Sequence, residues 1–303
     1  MDDMSTLLIF GLGYSSVATV RASGKRYERI IATVRSAERA AALTASGVAG
    51  QAVSVIPFDG SRMSDDLAQA IGQADDVLVS VPPNDQGDPV LRACTPALSS
   101  AHLRAVSYLS TVGVYGDHDG GWVDETTEPK PVSPRSLERL EAERAWTAFG
   151  QANGVPVAIL RLSGIYGPGN NALVNLRRGT ARRIIKLGQV FNRIHVDDIA
   201  QAVLAGFERR YSGVVNVTDD EPSPAQDVIT YAAELLGVPV PPDIPFEQAG
   251  LSPMGRSFYG ECKRVANRRL KGELGVNLLH PNFRVALQAL AAGGDGHAEP
   301  QDP

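Results

Sequence analysis

The sequence predicts an α/β fold, a doubly wound parallel sheet with a smaller C-terminal α/β lobe. Three observations predict it. Short apolar runs alternate with helix-compatible stretches through the first half of the chain. The runs are apolar along their length, as strands covered on both faces are. The first of them, Leu7-Leu8-Ile9-Phe10, leads at once into Gly11-Leu12-Gly13 and then into a helix.

The elements follow in order. Residues 7–10 form a strand and residues 14–21 a helix. Residues 29–34 are the second strand, and the alanine-rich stretch 37–46 is the helix after it. Residues 52–58 give a third strand ending at Asp59-Gly60, and 65–71 a short helix. Residues 76–81 are the fourth strand, closed by Pro82-Pro83; 88–100 are helical and 105–110 the fifth strand. Residues 113–134, with Gly113, Gly116, Gly120, Gly121, Pro129, Pro131 and Pro134, make a long connection of the kind that carries function. A helix over 134–153 and a sixth strand over 155–162 follow. After Gly167-Pro168-Gly169 the pattern loosens into a helix at 172–182, short strands within 184–196, and a helix from Val196 to about 207 capped by Asp197. A strand at 214–217, a helix at 224–236, a proline-rich turn at 239–245 and helices at 262–274 and 282–292 complete the chain. The expected domains are a sheet domain over 1–170, with later strands returning to it, a lobe over 171–292, and a disordered tail over 293–303.

The chain has 303 residues, 43% hydrophobic and 21% charged, an ordinary globular composition. A formal net charge of −5 argues against nucleic acid or an anionic membrane as a partner. Cys94 and Cys262 lie far apart and show no metal-ligand spacing, so no metal is expected. Met1-Asp2-Asp3 is acidic where a secretory leader is basic, and no apolar run reaches membrane-span length. A cytoplasmic location is the expectation.

The first turn has a chemical reading. In a strand–turn–helix, Gly11 allows a sharp turn and Gly13 lets a pyrophosphate approach the backbone, while the helix start offers unpaired N–H groups. Serine stands at position 16, where a third glycine would complete the dinucleotide fingerprint; it is small, and its hydroxyl can reach a phosphate. The plain alternative is a βα turn that binds no nucleotide. The crevice at the carboxyl ends of the strands would also take in Leu12, Tyr14, Ser15, Ser80, Val81 and Pro82. Arg35 and Ser36 close the second strand where an acidic residue would select NAD; a guanidinium beside a hydroxyl suits the 2′-phosphate of NADP. Asp59 is placed to bond an adenine amino group. NADP is therefore the expected cofactor, with NAD the alternative.

Four stretches carry a family resemblance: Leu109-Ser110-Thr111-Val112-Gly113-Val114-Tyr115-Gly116, Leu160 to Gly169, Arg193-Ile194-His195-Val196-Asp197-Asp198, and Val215 to Asp219. With them the chain resembles the extended short-chain dehydrogenase/reductases, the NAD-dependent epimerase/dehydratase superfamily, and the resemblance implies a Rossmann fold. It implies Thr111 as the hydroxyl that orients the reacting oxygen. It also exposes a departure, an atypical branch. The family's Tyr and the Lys four residues after it fall on Arg135 and Arg139. Arginine does not release a proton in proteins, so Arg135 does not replace that tyrosine; Arg139 can supply positive charge. The alternative is that Arg135, Glu138, Arg139 and Glu143 form a solvated helix face. Tyr115, Tyr166, Asp117 and His118 are other groups able to move a proton. Val112 and Gly113 stand where dehydratases carry an Asp-Glu pair.

On the substrate side, Phe191 occupies the family's diphosphate-arginine position, with Arg193 and Arg256 as substitutes and Arg177, Arg178, Arg182 and Arg183 as a basic helix. No role attaches to Lys263, Arg264 and Asn267, which open the expected helix at 262–274. The resemblance implies a small-molecule substrate, an anion on the arginine count, and a homodimer through the helix at 134–153. Two functions remain open: an NADP-dependent oxidoreductase or epimerase with a rebuilt proton relay, and a catalytically silent NADP(H)-binding regulator.

Overall fold

The computed structural model describes residues 5–296. Met1–Asp3 and residues 297–303 of the expected tail lie outside the described residues. The strands are β1 (Thr6–Phe10), β2 (Arg29–Val34), β3 (Ser54–Pro57), β4 (Asp76–Val79), β5 (Ala105–Thr111), β6 (Trp122–Val123), β7 (Val157–Leu162), β8 (Gly164–Tyr166), β9 (Arg183–Ile185), β10 (Arg193–His195), β11 (Gly213–Val217), β12 (Asp243–Pro245) and β13 (Arg264–Val265). The helices are α1 (Tyr14–Ser23), α2 (Ala37–Ser46), α3 (Asp65–Gly72), α4 (Pro89–Ser100), α5 (Pro134–Asn153), α6 (Ala172–Arg177), α7 (Val196–Glu208), α8 (Ala225–Leu236), α9 (Pro253–Phe258), α10 (Arg268–Gly272) and α11 (Phe283–Ala292). Among the described residues no helix is long and apolar enough to cross a membrane.

The main sheet runs β11-β7-β5-β4-β1-β2-β3, and every pairing is parallel. The two faces of β1 show why apolar runs make this sheet. Leu7 and Ile9 join one buried cluster, and Leu8 and Phe10 the other. Side chains alternate along a strand, so a strand with helices on both sides must be apolar at every position. The chain winds from β1 to β2 and β3 on one side, then returns to β4 on the other. The order reverses between β1 and β4, and the crevice at their carboxyl ends is where such sheets bind ligands.

A smaller core of Tyr166, Leu173, Ala232, Phe283, Ala286, Leu287 and Leu290 joins α6, α8 and α11. Four local expectations change here. The helix expected over 172–182 ends at Arg177, because Gly179 turns the chain at φ +66°. The cap of α7 is His195, whose ring accepts from Asp197 N (3.2 Å), and Asp197 lies in the first turn. Residues 262–267 are extended: β13 pairs in parallel with β6, and the helix starts at Arg268. Asp295, in the expected tail, is anchored, accepting from Gly169 N (2.9 Å) and the Asn171 side chain.

Helix α5 is the other correction. Glu143 is buried rather than solvated. It receives Arg161 through three hydrogen bonds, Nε to Oε1 at 3.1 Å and to Oε2 at 3.2 Å and Nη2 to Oε2 at 2.7 Å, and the Arg161 and Glu143 side chains are 5% and 4% exposed. The Ser110 hydroxyl donates to the same carboxylate. The Arg161 guanidinium lies 4.8 Å over the Tyr115 ring, and Tyr115 donates to Asn216 Oδ1 at 2.8 Å. Asn216 N in turn donates to Glu125 (2.8 Å). This chain of contacts ties α5, β5, β7, β11 and the long connection together at the carboxyl end of the sheet.

Removing one partner of a buried ion pair leaves a charge without compensation. Glu143→Ala is therefore expected to lower the unfolding free energy by about 3–5 kcal/mol, whereas Glu143→Leu with Arg161→Met should recover most of it. Urea denaturation of the three proteins checks this. A loss under about 1 kcal/mol for the single variant would contradict the assignment.

Candidate functional site

The carboxyl ends of β1–β5 carry two adjoining regions. The first is the glycine turn. Gly11 has φ +90°, and a Cβ there would lie 2.8 Å from Val81 Cγ1, so only glycine fits beside β4. Gly13 is exposed, with nothing within 4 Å of a Cβ position. The turn is held by Leu12 N donating to Thr33 O (3.0 Å) and Gly11 N to Thr33 Oγ1 (3.0 Å). The Ser16 hydroxyl donates to Gly11 O at 2.7 Å, so it braces the turn instead of facing a phosphate. No side chain caps α1, which leaves its first N–H groups pointing into the crevice. Ser15 is buried. Tyr14 is exposed but tethered, donating to Pro168 O (2.9 Å); burial, with Asp197 and Asp295, pushes its phenol up to about 12. Open glycine, uncapped helix start and absent Cβ together fit a dinucleotide's pyrophosphate.

Arg35 is exposed at the end of β2, and among the described residues no hydrogen bond or ion pair engages it. Ser36 caps α2, accepting from Arg39 N (3.3 Å). Arg39, in the first turn of α2 four residues after Arg35, is a second exposed arginine near the end of β2. Asp59 is exposed, and the Ser61 hydroxyl and amide hold its carboxyl below the usual range. Ser80 and Val81 are half-buried and Pro82 exposed, after β4.

The second region is a cavity of about 970 Å³ at the ends of β5 and β7, roofed by the C-terminal lobe. It gathers Thr111, Arg135 and Arg139 from the expected set and adds Ser136, Ser163, Glu261 and Lys263. Thr111 ends β5, and its Oγ1 accepts from Gly113 N at 3.0 Å. A Cβ on Gly113 would lie 3.0 Å from Ser136 Oγ and 3.3 Å from Thr111 Oγ1, so the two hydroxyls flank that glycine. Arg139 Nη1 donates to Tyr108 OH (3.0 Å) and Leu109 O (2.8 Å), clamping β5 just before Thr111. Lys263 is buried, donating to Gly116 O at 2.6 Å and pairing with Glu261. It sits in the segment read as helix, where no spacing marked it. Ser163 Oγ is buried without a hydrogen-bond partner among the described residues.

Other candidates are not brought here. Tyr115 is fully buried in the network beneath the cavity, and burial pushes its phenol up despite Arg161. Asp117 and His118 hold the long connection: Asp117 accepts from Cys262 N (2.7 Å), and His118 Nε2 lies 3.1 Å from Tyr115 O. Tyr166 and Arg193 border a separate hollow of about 420 Å³ among α6, α8 and α11. Arg193 donates to Phe191 O (3.1 Å) and to Ser223 O and Oγ (3.0 and 2.8 Å). Arg256 lies 4.9 Å over the Phe246 ring.

The profile of the NAD dependent epimerase/dehydratase family matches residues 88–218. A functionally unknown conserved protein from Silicibacter pomeroyi has a solved structure 46% identical to this chain. The two superpose with a TM-score of 0.86, covering 96% of this chain and 99% of that one. A 3-diazoavenalumate denitrifying reductase from a Streptomyces species is 33% identical over 142 residues, 43% of this chain and 45% of the reductase, so the match spans less than half of that protein. Protein YeeZ of Escherichia coli K12 is 27% identical over 289 residues, 92% of this chain and 97% of YeeZ. Through residues 88–218 the chain is related to the NAD-dependent epimerase/dehydratase family.

Asp219, 2% exposed behind Tyr166, gives a pH prediction. Burial pushes its carboxyl up from 3.8 to about 8, although Glu221 N and Arg193 pull it down. The folded chain thus holds a proton that the unfolded chain releases. The stability this contributes is complete below 3.8 and is lost as the pH rises through about 8. Asp219→Asn should gain stability over the native protein between about pH 5 and about pH 9. Denaturation midpoints across that range test it; a difference that stays constant with pH would contradict it.

Proposed function

We propose that this chain is an NADP-dependent oxidoreductase of an atypical branch, working on a small molecule held in the cavity at the ends of β5 and β7. The observation that carries the reading is the juxtaposition of that cavity with the glycine turn. One strand, β4, separates β1 from β5. At about 4.8 Å per strand, the turn and Thr111 are some 10 Å apart across the sheet, within the span of a dinucleotide.

In this reading Gly11, Gly13 and the α1 amides hold the pyrophosphate, and Arg35, Ser36 and Arg39 hold the 2′-phosphate. When bound, the cofactor supplies hydride chemistry. Thr111 Oγ1, fixed by Gly113 N, directs its own proton at the reacting oxygen, with Ser136 on the other side of Gly113. Arg135 and Arg139 keep their protons and add positive field. Lys263, held by Glu261, is the cavity cation able to hand a proton on.

A second reading, a silent NADP(H)-binding regulator, is favoured by one observation. Arg139, at the family lysine's position, is engaged with Tyr108 and Leu109.

Two outcomes separate the readings. Arg35→Asp should weaken NADPH binding by about 10–100-fold and leave NADH nearly unchanged, read by nicotinamide fluorescence. Equal loss for both would remove Arg35 from the site. Thr111→Val should keep NADPH binding but lower hydride turnover by about 100-fold or more, with Thr111→Ser restoring it. NADPH binding with no turnover across a broad carbonyl and alkene panel would select the regulator.

A further inference from the structure

We propose that the cavity takes an amphipathic monocarboxylate, an apolar ring-bearing body with one carboxylate, rather than a sugar nucleotide. The inference rests on reading this cavity as the substrate site.

The two walls differ in chemistry. On the α5 wall, Arg135 and Arg139 stand four residues apart and share a helix face, with Ser136 between them. Only Nη1 of Arg139 is engaged by Tyr108 and Leu109 among the described residues. Nη2 and Nε remain, and a guanidinium fork matches a carboxylate edge. The opposite wall is Val190, Phe191, Pro253 and Phe258, with Leu162 beneath. Phe191 meets Tyr259 edge-on at 5.1 Å, and Tyr259 lies against Phe246 at 5.1 Å. Phe258 is 63% exposed at the rim, where the body of a ligand would cover it.

The remaining charges on that side are already engaged. Lys186 and Arg256 lie over Phe246, at 5.4 and 4.9 Å, and neither lines the cavity. Lys263 is compensated by Glu261. Arg135 and Arg139 put two guanidinium groups on one wall, and Glu261 opposes a second anionic group. Asn192, the amide in the lining, is also committed: Nδ2 donates to Lys263 O (2.9 Å) and Oδ1 accepts from Val265 N (2.8 Å). It has little left to read a sugar hydroxyl. Ser163, 4% exposed and without a partner, offers one hydroxyl beside Leu162. One cationic wall and one apolar wall suit a ligand with one charge and an apolar body.

Calorimetric titration of the purified chain, with and without saturating NADPH, tests this with cinnamate, methyl cinnamate, acetate and UDP-glucose. Cinnamate should bind, its methyl ester should bind at least about tenfold more weakly, and UDP-glucose should not displace it. Arg135→Gln should weaken cinnamate about tenfold and leave NADPH unchanged. Phe258→Ser should weaken cinnamate but not acetate, and thermal melts report whether either variant is folded. Equal affinity for cinnamate and its ester, displacement by UDP-glucose, or no cinnamate binding would overturn the proposal. NADPH binding without cinnamate binding overturns the substrate class alone. Cinnamate binding without NADPH binding overturns the cofactor reading alone.

Discussion

The carboxyl end of the sheet depends on one buried ion pair. Arg161 leaves β7 and Glu143 leaves α5, and each is nearly out of reach of water. Two charges in that position are tolerated because they meet through three hydrogen bonds and neighbours add to them. Ser110 serves the carboxylate, and the Tyr115 ring lies against the guanidinium. The pair thereby fixes α5 against β5 and β7, and with α5 the arginines that line the cavity above. Replacing one member would leave an uncompensated charge and release that wall.

A second constraint is the strand formed between the long connection and the C-terminal segment. β6 and β13 pair in parallel, Cys262 O accepts from His118 N (3.0 Å) and Gly120 N (2.9 Å), and Lys263 reaches Gly116 O. The lobe therefore carries a lysine to the Thr111 end of β5 without any help from α5. Arg135 and Arg139 stand where the family resemblance would place a tyrosine and a lysine, and Lys263 enters the same cavity from a different part of the chain. Arg139 has taken up a bracing function, since its guanidinium holds the β5 carbonyl two residues before Thr111.

The sheet was legible in the sequence because its physics is local. Apolar runs of strand length and the glycine turn at Gly11 signal without reference to distant residues. Thr111, Arg135 and Arg139 were legible through the family resemblance, which places its hydroxyl, tyrosine and lysine at those positions. What escaped depended on partners far away. Glu143 has the spacing of an exposed helix face, and only Arg161 explains its burial. Lys263 lay in a stretch with helical composition, yet pairing with β6 draws it into extended chain. Tyr115 stands beside the motif threonine in sequence, but the turn at Val112–Tyr115 sends it down to Asn216 and away from the cavity. Ser16 and Asp197 have the residue types of a phosphate ligand and a helix cap, and each is used by its neighbours in another way.

The account stands or falls on where a nicotinamide ring would sit. A crystal structure of the chain grown with NADPH measures it directly. The expected result is the pyrophosphate beside Gly13 on the first amides of α1, the 2′-phosphate on Arg35, and the nicotinamide over the end of β5, facing the cavity with C4 within about 4 Å of a ligand atom poised beside Thr111. A dinucleotide bound with its nicotinamide outside that cavity, or no dinucleotide at saturating concentration, would contradict it.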